Sequence, residues 1–286
     1  MLLDGKKLRD KILEEIKVKI SEEKIKAKLV IISVGDNEAS KIYIKNKEKA
    51  CLYVGIEVEK YILDKNVDEE FLIDLINSLN NDNDVTGIIL QSPIPSHLNF
   101  DYVASFIDAN KDVDGFTKEN IYDLYLNQES LIPCTVKGII RLLEEYEINL
   151  TGKDVLIVGR GKIVGLPLSI ALLNKNATVT IAHSKTKDLK EKCLKADIII
   201  AAVGAPKLIK EDMVKDGAIV VDVGISRVDG KVVGDVDYEN VHDKCQYITK
   251  TPGGVGPMTV AMILENILIA KERNEKNGQG IKRCIK

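Results

Sequence analysis

Cysteine is scarce and scattered in this chain. The five positions, Cys51, Cys134, Cys193, Cys245 and Cys284, are odd in number and contain no C-x-x-C pair. That usage excludes a disulfide framework or a zinc ribbon and fits a reducing cytoplasm. An excess of either charge is also lacking: 41 basic residues face 44 acidic ones, for a formal net charge of −3 and a pI near 5.8. Such a balance offers no global positive field to a polyanion, so nucleic acid is not an expected partner. No run approaches the roughly 18 apolar residues of a membrane-spanning helix. The opening "MLLDGKKLRDK" mixes charges where a signal peptide would be apolar. The expectation is a soluble, cytoplasmic chain with no membrane partner. Low-complexity tracts and internal repeats are absent as well.

What is present is an α/β rhythm in two halves. With 286 residues and 45% hydrophobic content the chain can build two domains with substantial cores. In the first half a helix is predicted from Gly5 to Lys24, then the strand "KLVIISV", then a helix from near Glu38. Strands "GIEVEKYIL" and "TGIILQSP" follow, separated by the helical "DEEFLIDLINSLN". This alternation favours a mostly parallel sheet covered on both faces. From Asn110 to Pro133 the sequence reads as loop. After a helix over "TVKGIIRLLEEYE", four apolar strands predict a second buried parallel sheet: "DVLIVG", "TVTIAH", "DIIIAAVG" and "AIVVDVG". The amphipathic "MTVAMILENILIAKERNE" closes the pattern. The expected domains are residues 1–134, joined by a C-terminal helix over 263–286 that packs back on them, and residues 135–262.

In "VLIVGRGKIVGLP", Gly159, Gly161 and Gly165 stand between a buried strand and a helix. Missing side chains there let backbone N–H groups approach a phosphate, although tight strand-to-helix turns also use glycine for steric reasons alone. The spacing is one residue longer than the common dinucleotide fingerprint. About twenty residues on, where an NAD site offers an acid to the ribose 2′-hydroxyl, "TVTIAHSKT" has none. His183, Ser184 and Lys185 supply donors instead, and Arg160 can form a charge-assisted fork to phosphate. NADP is the better fit, a solvated polar turn being the alternative.

The stretch "KIYIKNKEKA" carries four lysines. At helical spacing Tyr43, Lys47, Ala50, Cys51 and Val54 share one face, with Lys47 its only charge, while Lys41, Lys45 and Lys49 fall on the far side. Those three read as a solvated face. A lysine on a mainly apolar face either carries its ammonium out to water or lines a cleft where it can handle a proton.

Further motifs then accumulate in order: "SKIYIKNKEKAC", "GIILQSPIP", "KDVDGFT", "PCTVKG", "GRGKIVGLP" and "TPGGVGPMT". Together they resemble the bifunctional methylenetetrahydrofolate dehydrogenase/cyclohydrolase family over nearly the whole chain. The resemblance implies an N-terminal α/β folate domain, a Rossmann-type NADP domain and a homodimer. It implies NADP-dependent oxidation of 5,10-methylenetetrahydrofolate, followed by hydrolysis of the methenyl product to 10-formyltetrahydrofolate for one-carbon metabolism and purine biosynthesis. Tyr43, Lys47, Gln91 and Asp114 would form the folate and catalytic site, with Ser92, Pro93, Pro252, Gly253 and Gly254 lining it. Gly159, Arg160, Gly161, Lys162, Gly165, His183, Ser184, Gly204, Gly224 and Ile225 would hold the cofactor, and no metal is implied. The residue chemistry agrees: Asp114 offers two acceptor oxygens to the amino and ring N–H edge of a pterin, and Gln91 follows an apolar strand, where ligands of α/β sheets gather.

Four departures from the family pattern stand out. Gly161 replaces the usual serine, Ser92 a leucine, Val136 a proline and Lys250-Thr251 a Pro-Val pair. None touches the proton-transfer set. Competing readings are a dehydrogenase with weak or absent hydrolysis, which retention of Lys47 opposes, and a non-catalytic NADP sensor, which would have no reason to keep Tyr43, Lys47, Gln91 and Asp114. A two-domain dehydrogenase of amino or hydroxy acids is disfavoured because the first half has no obvious histidine–acid pair.

Overall fold

The computed structural model describes residues 1–284. In chain order its first-half elements are β1 (Leu2–Leu3), α1 (Gly5–Glu23), β2 (Lys28–Val34), α2 (Glu38–Val54), β3 (Glu57–Leu63), α3 (Glu69–Asn81), β4 (Gly87–Leu90), α4 (Phe100–Ala104) and α5 (Lys118–Tyr125). Then come α6 (Cys134–Glu145), β5 (Asp154–Val158), α7 (Gly165–Leu173), β6 (Thr178–Ala182), α8 (Leu189–Lys195), β7 (Ile198–Ala201) and β8 (Ile219–Asp222). The series ends with β9 (Ser226–Val228), β10 (Lys231–Val233), α9 (Tyr238–Val241), β11 (Tyr247–Thr249) and α10 (Val255–Cys284). Two compact units result. One comprises Lys11–Asp123, Glu129–Cys134 and the chain from Val260 on; the other comprises Met1–Asp10, Leu124–Gln128 and Thr135–Thr259.

In the first unit a three-stranded parallel sheet runs β3-β2-β4. The central strand β2 is apolar without alternation because both of its faces are buried, from Leu29 through Val34. The edge strand β3 alternates between exposed and half-buried positions. Helix α2 begins where the Asn37 side chain accepts the Ser40 N–H at 3.0 Å, and ends at Gly55, whose φ of +93° is left-handed. Helix α3 starts at Asp68, which accepts the Phe71 N–H at 2.7 Å, with Glu69 and Glu70 in its first turn.

The far end of α3 is closed by a lysine. Lys111 Nζ donates to the carbonyls of Leu79 (2.9 Å), Asn80 (2.7 Å) and Asp82 (2.7 Å). Burial pushes its pKa down, while Asp108 and Asp82 act the other way. Three donors on a cation match three carbonyls at the negative end of a helix. Lys111→Met is expected to leave those carbonyls unpaired and to lower stability by about 2 kcal/mol. With no tryptophan in the chain, urea unfolding followed by circular dichroism checks this; an unchanged midpoint refutes it.

The segment expected to be loop from Asn110 to Pro133 contains α5. Its sequence, "KENIYDLY", has too few aliphatic residues for a helical stripe, and polar anchoring takes the place of periodicity. The fully buried Asn120 donates to Asp112 Oδ2 (3.1 Å) and Ala109 O (2.9 Å), and its own oxygen accepts the Leu131 N–H (3.2 Å). Helix α10 also differs from the amphipathic expectation. From Met258 to Ala270 it is buried on nearly every side. Within this unit Asn266 Nδ2 donates to Val113 O and Ile132 O, both at 3.0 Å, and Glu272 pairs with Lys19 of α1 at 2.8 Å. The C-terminal helix therefore packs on the first unit, as expected. Of the span 263–286, Ile285 and Lys286 lie outside the described residues, as do the side chains of residues 277–284.

The second unit holds a six-stranded, wholly parallel sheet in the order β1-β11-β8-β7-β5-β6. Four of its strands, β5 to β8, are those read from the sequence. The two remaining strands, β1 and β11, were not foreseen. Leu2 and Leu3 pair with Ile248 and Thr249 across most of the chain length, and strands of two and three residues carry no local periodicity. A short antiparallel hairpin, β9–β10, lies outside this sheet. No helix among the described residues is long and apolar enough to cross a membrane.

Candidate active site

In the first unit, the parallel strands β2 and β4 end together, and the loop after β4 meets α2. Gln91 follows β4, its N–H held by Ile32 O at 2.8 Å. The Gln91 amide nitrogen donates to Ser92 O at 2.7 Å, which turns Oε1 toward Lys47 Nζ at 3.1 Å. Lys47 and Gln91 are both 8% exposed. Ser40 Oγ also donates to Ser92 O, at 3.4 Å. Only the Ser92 carbonyl takes part, and its side chain is exposed like Pro93, so the leucine-to-serine departure leaves these contacts intact. The peptide bond between Ser92 and Pro93 is cis.

The other lysines sort as the helical spacing predicts. Lys41 is exposed and pairs with Asp36 and Glu38; Lys45 and Lys49 are exposed. Ala50, Cys51 and Val54 are buried beside Lys47. Burial pushes the Cys51 thiol up to about 12, so it stays protonated at neutral pH and the amine is the polar group of this face. Tyr43, one turn before Lys47, is 47% exposed, its ring available to a flat ligand.

Asp114 reaches the same end of the sheet by another route. Ile88 pairs in parallel with Asp112, and the Ile88 N–H donates to Lys111 O at 2.7 Å. Two residues on from each, Asp114 is level with Leu90, and both line one small cavity. Asp112, which sequence reasoning passed over, anchors this loop. Its carboxylate accepts the N–H groups of Gly115 (2.9 Å) and Thr117 (2.7 Å) as well as Asn120. Burial raises its pKa and those bonds oppose the rise. Both acids stand in "KDVDG", of which the resemblance implied only Asp114; burial separates the anchor Asp112 from the half-exposed Asp114.

Pro252, Gly253 and Gly254 belong to the second unit. A Cβ on Gly5 would lie 1.9 Å from Gly254 O, and one on Gly254 would lie 2.7 Å from Thr249 Cβ. The Lys6 N–H donates to Gly253 O at 3.0 Å. Gly5 is thus required by the close approach of this loop to the start of α1, Gly254 by its packing on Thr249, and Gly253 by its left-handed φ of +116°.

The nucleotide-type features of this unit gather at the C-terminal ends of its strands. In chain order from β5, the sheet has the doubly wound order in which the chain reverses between β5 and β7, the place where ligands of such sheets bind. Gly159 follows β5 and Gly165 opens α7, whose N-terminus has no side-chain cap. A Cβ on Gly159 would meet Ala202 O, and one on Gly165 would meet Gly159 O, each at 2.3 Å. A Cβ on Gly161 would meet nothing within 4 Å, so its space can take a phosphate, or the serine usual in the family. Arg160, Gly161 and Lys162 are exposed around this cradle.

After β6, His183, Ser184 and Lys185 form a tight turn. The His183 N–H donates to Thr186 Oγ1 (2.8 Å) and the Lys185 N–H to His183 Nδ1 (3.1 Å). The turn opens on a cavity of about 460 Å³ lined by Lys185, Lys187, Lys192 and Lys195 together with the acids Asp188 and Glu191, so that its cations outnumber its carboxylates. The donor set fits a dinucleotide with an additional anionic group on its ribose.

Gly204, with φ of +69°, follows β7; Gly224 and the half-exposed Ile225 follow β8. Asp222 lies beneath them, 2% exposed, accepting the N–H groups of Gly224 (3.2 Å), Asp235 (2.9 Å) and Val236 (3.2 Å). Burial, with a contribution from Asp235, raises its pKa to about 6.

Comparison with known proteins agrees with this arrangement. A family model described as the tetrahydrofolate dehydrogenase/cyclohydrolase catalytic domain matches residues 3–114, and the corresponding NAD(P)-binding domain matches residues 133–275. The bifunctional protein FolD of Hydrogenobaculum sp. is 50% identical over 271 residues, covering 94% of this chain and 98% of that protein. The crystal structure of the bifunctional FolD methylenetetrahydrofolate dehydrogenase/cyclohydrolase from Campylobacter jejuni is similar with a TM-score of 0.93 at 48% identity, covering 96% of this chain and 99% of that one. The Trypanosoma brucei dehydrogenase-cyclohydrolase, complexed with NADP cofactor and an inhibitor, gives a TM-score of 0.89 at 32% identity, covering 96% and 97%.

Proposed function

Because the chain belongs to the tetrahydrofolate dehydrogenase/cyclohydrolase family, we infer that it catalyses two consecutive reactions on one folate. It is an enzyme that oxidises 5,10-methylenetetrahydrofolate with NADP⁺ and hydrolyses the methenyl product to 10-formyltetrahydrofolate. The buried Lys47–Gln91 hydrogen bond carries the hydrolytic assignment.

In hydrolysis, water oxygen bonds to the methenyl carbon and the bond from that carbon to N5 breaks. One water proton ends on N5 and the other in solvent. Lys47 Nζ, aimed by Gln91 Oε1, relays a proton between them; the cationic carbon makes water acidic as it adds. Asp114 accepts from the amino and ring N–H edge of the pterin, and Tyr43 stacks on the flat ligand. Pro93 and the Ser92 carbonyl serve as further lining.

NADP⁺, when bound, takes the two electrons and the hydrogen that leave the methylene carbon. This chain's part is to hold it. The Gly159–Gly165 cradle and the N-terminus of α7 receive the pyrophosphate; Arg160, Lys162, His183 and Ser184 face the anionic ribose; Gly204, Gly224 and Ile225 form the opposite lip. Arg160→Ala is expected to raise KM for NADP about tenfold while changing KM for NAD little. Equal changes would remove Arg160 from 2′-phosphate recognition.

By the same family argument the enzyme works as a cytoplasmic homodimer whose product supplies purine biosynthesis; light scattering on the purified protein tests the dimer. Absorbance with methylenetetrahydrofolate and NADP⁺ or NAD⁺, plus a separate assay of methenyl decay, tests the function. NADP-dependent turnover with accelerated decay is the expected result, and turnover without it would leave a dehydrogenase only.

A further inference from the structure

The segment "GDVD", residues 234–237, has the composition of a solvated turn, yet Asp235 is fully buried. Its Oδ2 accepts two consecutive backbone N–H groups, from Val203 at 2.7 Å and Gly204 at 3.0 Å. Its Oδ1 has no hydrogen-bond partner among the described residues and lies against Gly224, where a Cβ would come within 2.1 Å of it. The relation is reciprocal. Asp222 accepts the Asp235 N–H, and a Cβ on Gly234 would lie 1.8 Å from Asp222 Oδ2. Two acids and two glycines thus interlock the turn after β7, the end of β8 and the segment 234–236.

The turn held this way has a defined place in the sheet. Ala202 O is the atom that a Cβ on Gly159 would strike, so the β7 turn and the glycine cradle after β5 form the two sides of the switch point. One carboxylate oxygen accepting adjacent N–H groups fixes the orientation of that turn more strictly than solvent would. A buried carboxylate is costly to keep when packing alone would do, which argues for a demand on geometry.

We propose that Asp235 is a positioning residue of the cofactor site, its carboxylate holding the Val203–Gly204 turn in the orientation that receives the dinucleotide. This rests on the assignment of Gly204 and Gly224 to that site. Asp235→Ala removes the acceptor, whereas Asp235→Asn keeps one acceptor oxygen and nearly the same volume.

Three readouts on the purified enzyme separate the possibilities: amide exchange in the cofactor-free protein, KM and kcat for NADP, and methenyl hydrolysis. In D235A the Val203 and Gly204 amides should exchange roughly tenfold or more faster. KM for NADP should rise about tenfold with kcat within about threefold, and hydrolysis should stay near the parent rate. D235N should restore most of both the protection and the KM. Unchanged exchange in D235A overturns the role of the carboxylate. Faster exchange with a parent-like KM overturns instead the assignment of the turn to the cofactor site. Loss of hydrolysis in step with the dehydrogenase would make Asp235 a residue of the fold at large, which also overturns the proposal; if D235A cannot be purified, D235N with a KM more than about tenfold raised overturns it too.

Discussion

Lys47→Met should lower methenyl hydrolysis by about 10²–10⁴-fold while NADP binding and the fold persist. That range is what a positioned proton-transfer group contributes. Methionine keeps the length and removes the amine. The site tolerates an apolar replacement because Ala50, Cys51 and Val54 are buried on the same face. What is lost is the bond to Gln91 Oε1 at 3.1 Å. Leaving that oxygen unpaired costs about 1–2 kcal/mol of stability, too little to unfold a chain with two substantial cores. The cofactor-binding elements belong to the other compact unit. Lys45→Met and Lys49→Met, changes on exposed positions of the same helix, should leave hydrolysis unaltered. The decay of methenyltetrahydrofolate absorbance, corrected for the uncatalysed rate, is the measurement. A parent-like rate in K47M would exclude the amine from the chemistry.

That contrast among neighbouring lysines was legible in the sequence because helical spacing separates faces without any tertiary information. The strands "KLVIISV" and "DVLIVG" were equally legible, since a strand buried on both sides needs an unbroken apolar run. What escaped was held by contacts that local periodicity does not encode. Helix α5 depends on Asn120 and Asp112; β1 depends on β11, more than two hundred residues away. Buried acids are the extreme case. Asp112 and Asp235 read in sequence like turn residues and Asp222 like the end of a strand, and only the N–H groups converging on them reveal their work. The site divides along the same line: the groups proposed to touch ligand sit in recognisable motifs, whereas the groups that aim them do not.

Gly159→Ala should abolish NADP-dependent oxidation, by about 100-fold or more in kcat/KM, while methenyl hydrolysis survives. The reason is backbone geometry. Gly159 has a φ of +130°, which L-residues rarely adopt, and an added Cβ would lie 2.3 Å from Ala202 O and 2.9 Å from Ala202 C. Both are main-chain atoms, so no flexible side chain can yield. The φ alone costs on the order of 1–3 kcal/mol, and relief of the clash must drive the ends of β5 and β7 apart at the switch point. The displacement would propagate, because the Gly159 carbonyl sits where a Cβ on Gly165 would lie, fixing the start of α7. Gly161→Ser is the steric control: open space surrounds that position, so this variant should fold with the parent's thermal midpoint. Hydrolysis should persist in G159A because Lys47 and Gln91 are held within the first unit. NADP titration and the two assays run on one preparation decide the matter. A parent-like KM for NADP in G159A would mean that the β5 turn does not carry the pyrophosphate, and loss of both activities would mean that the two reactions do not divide between the two units.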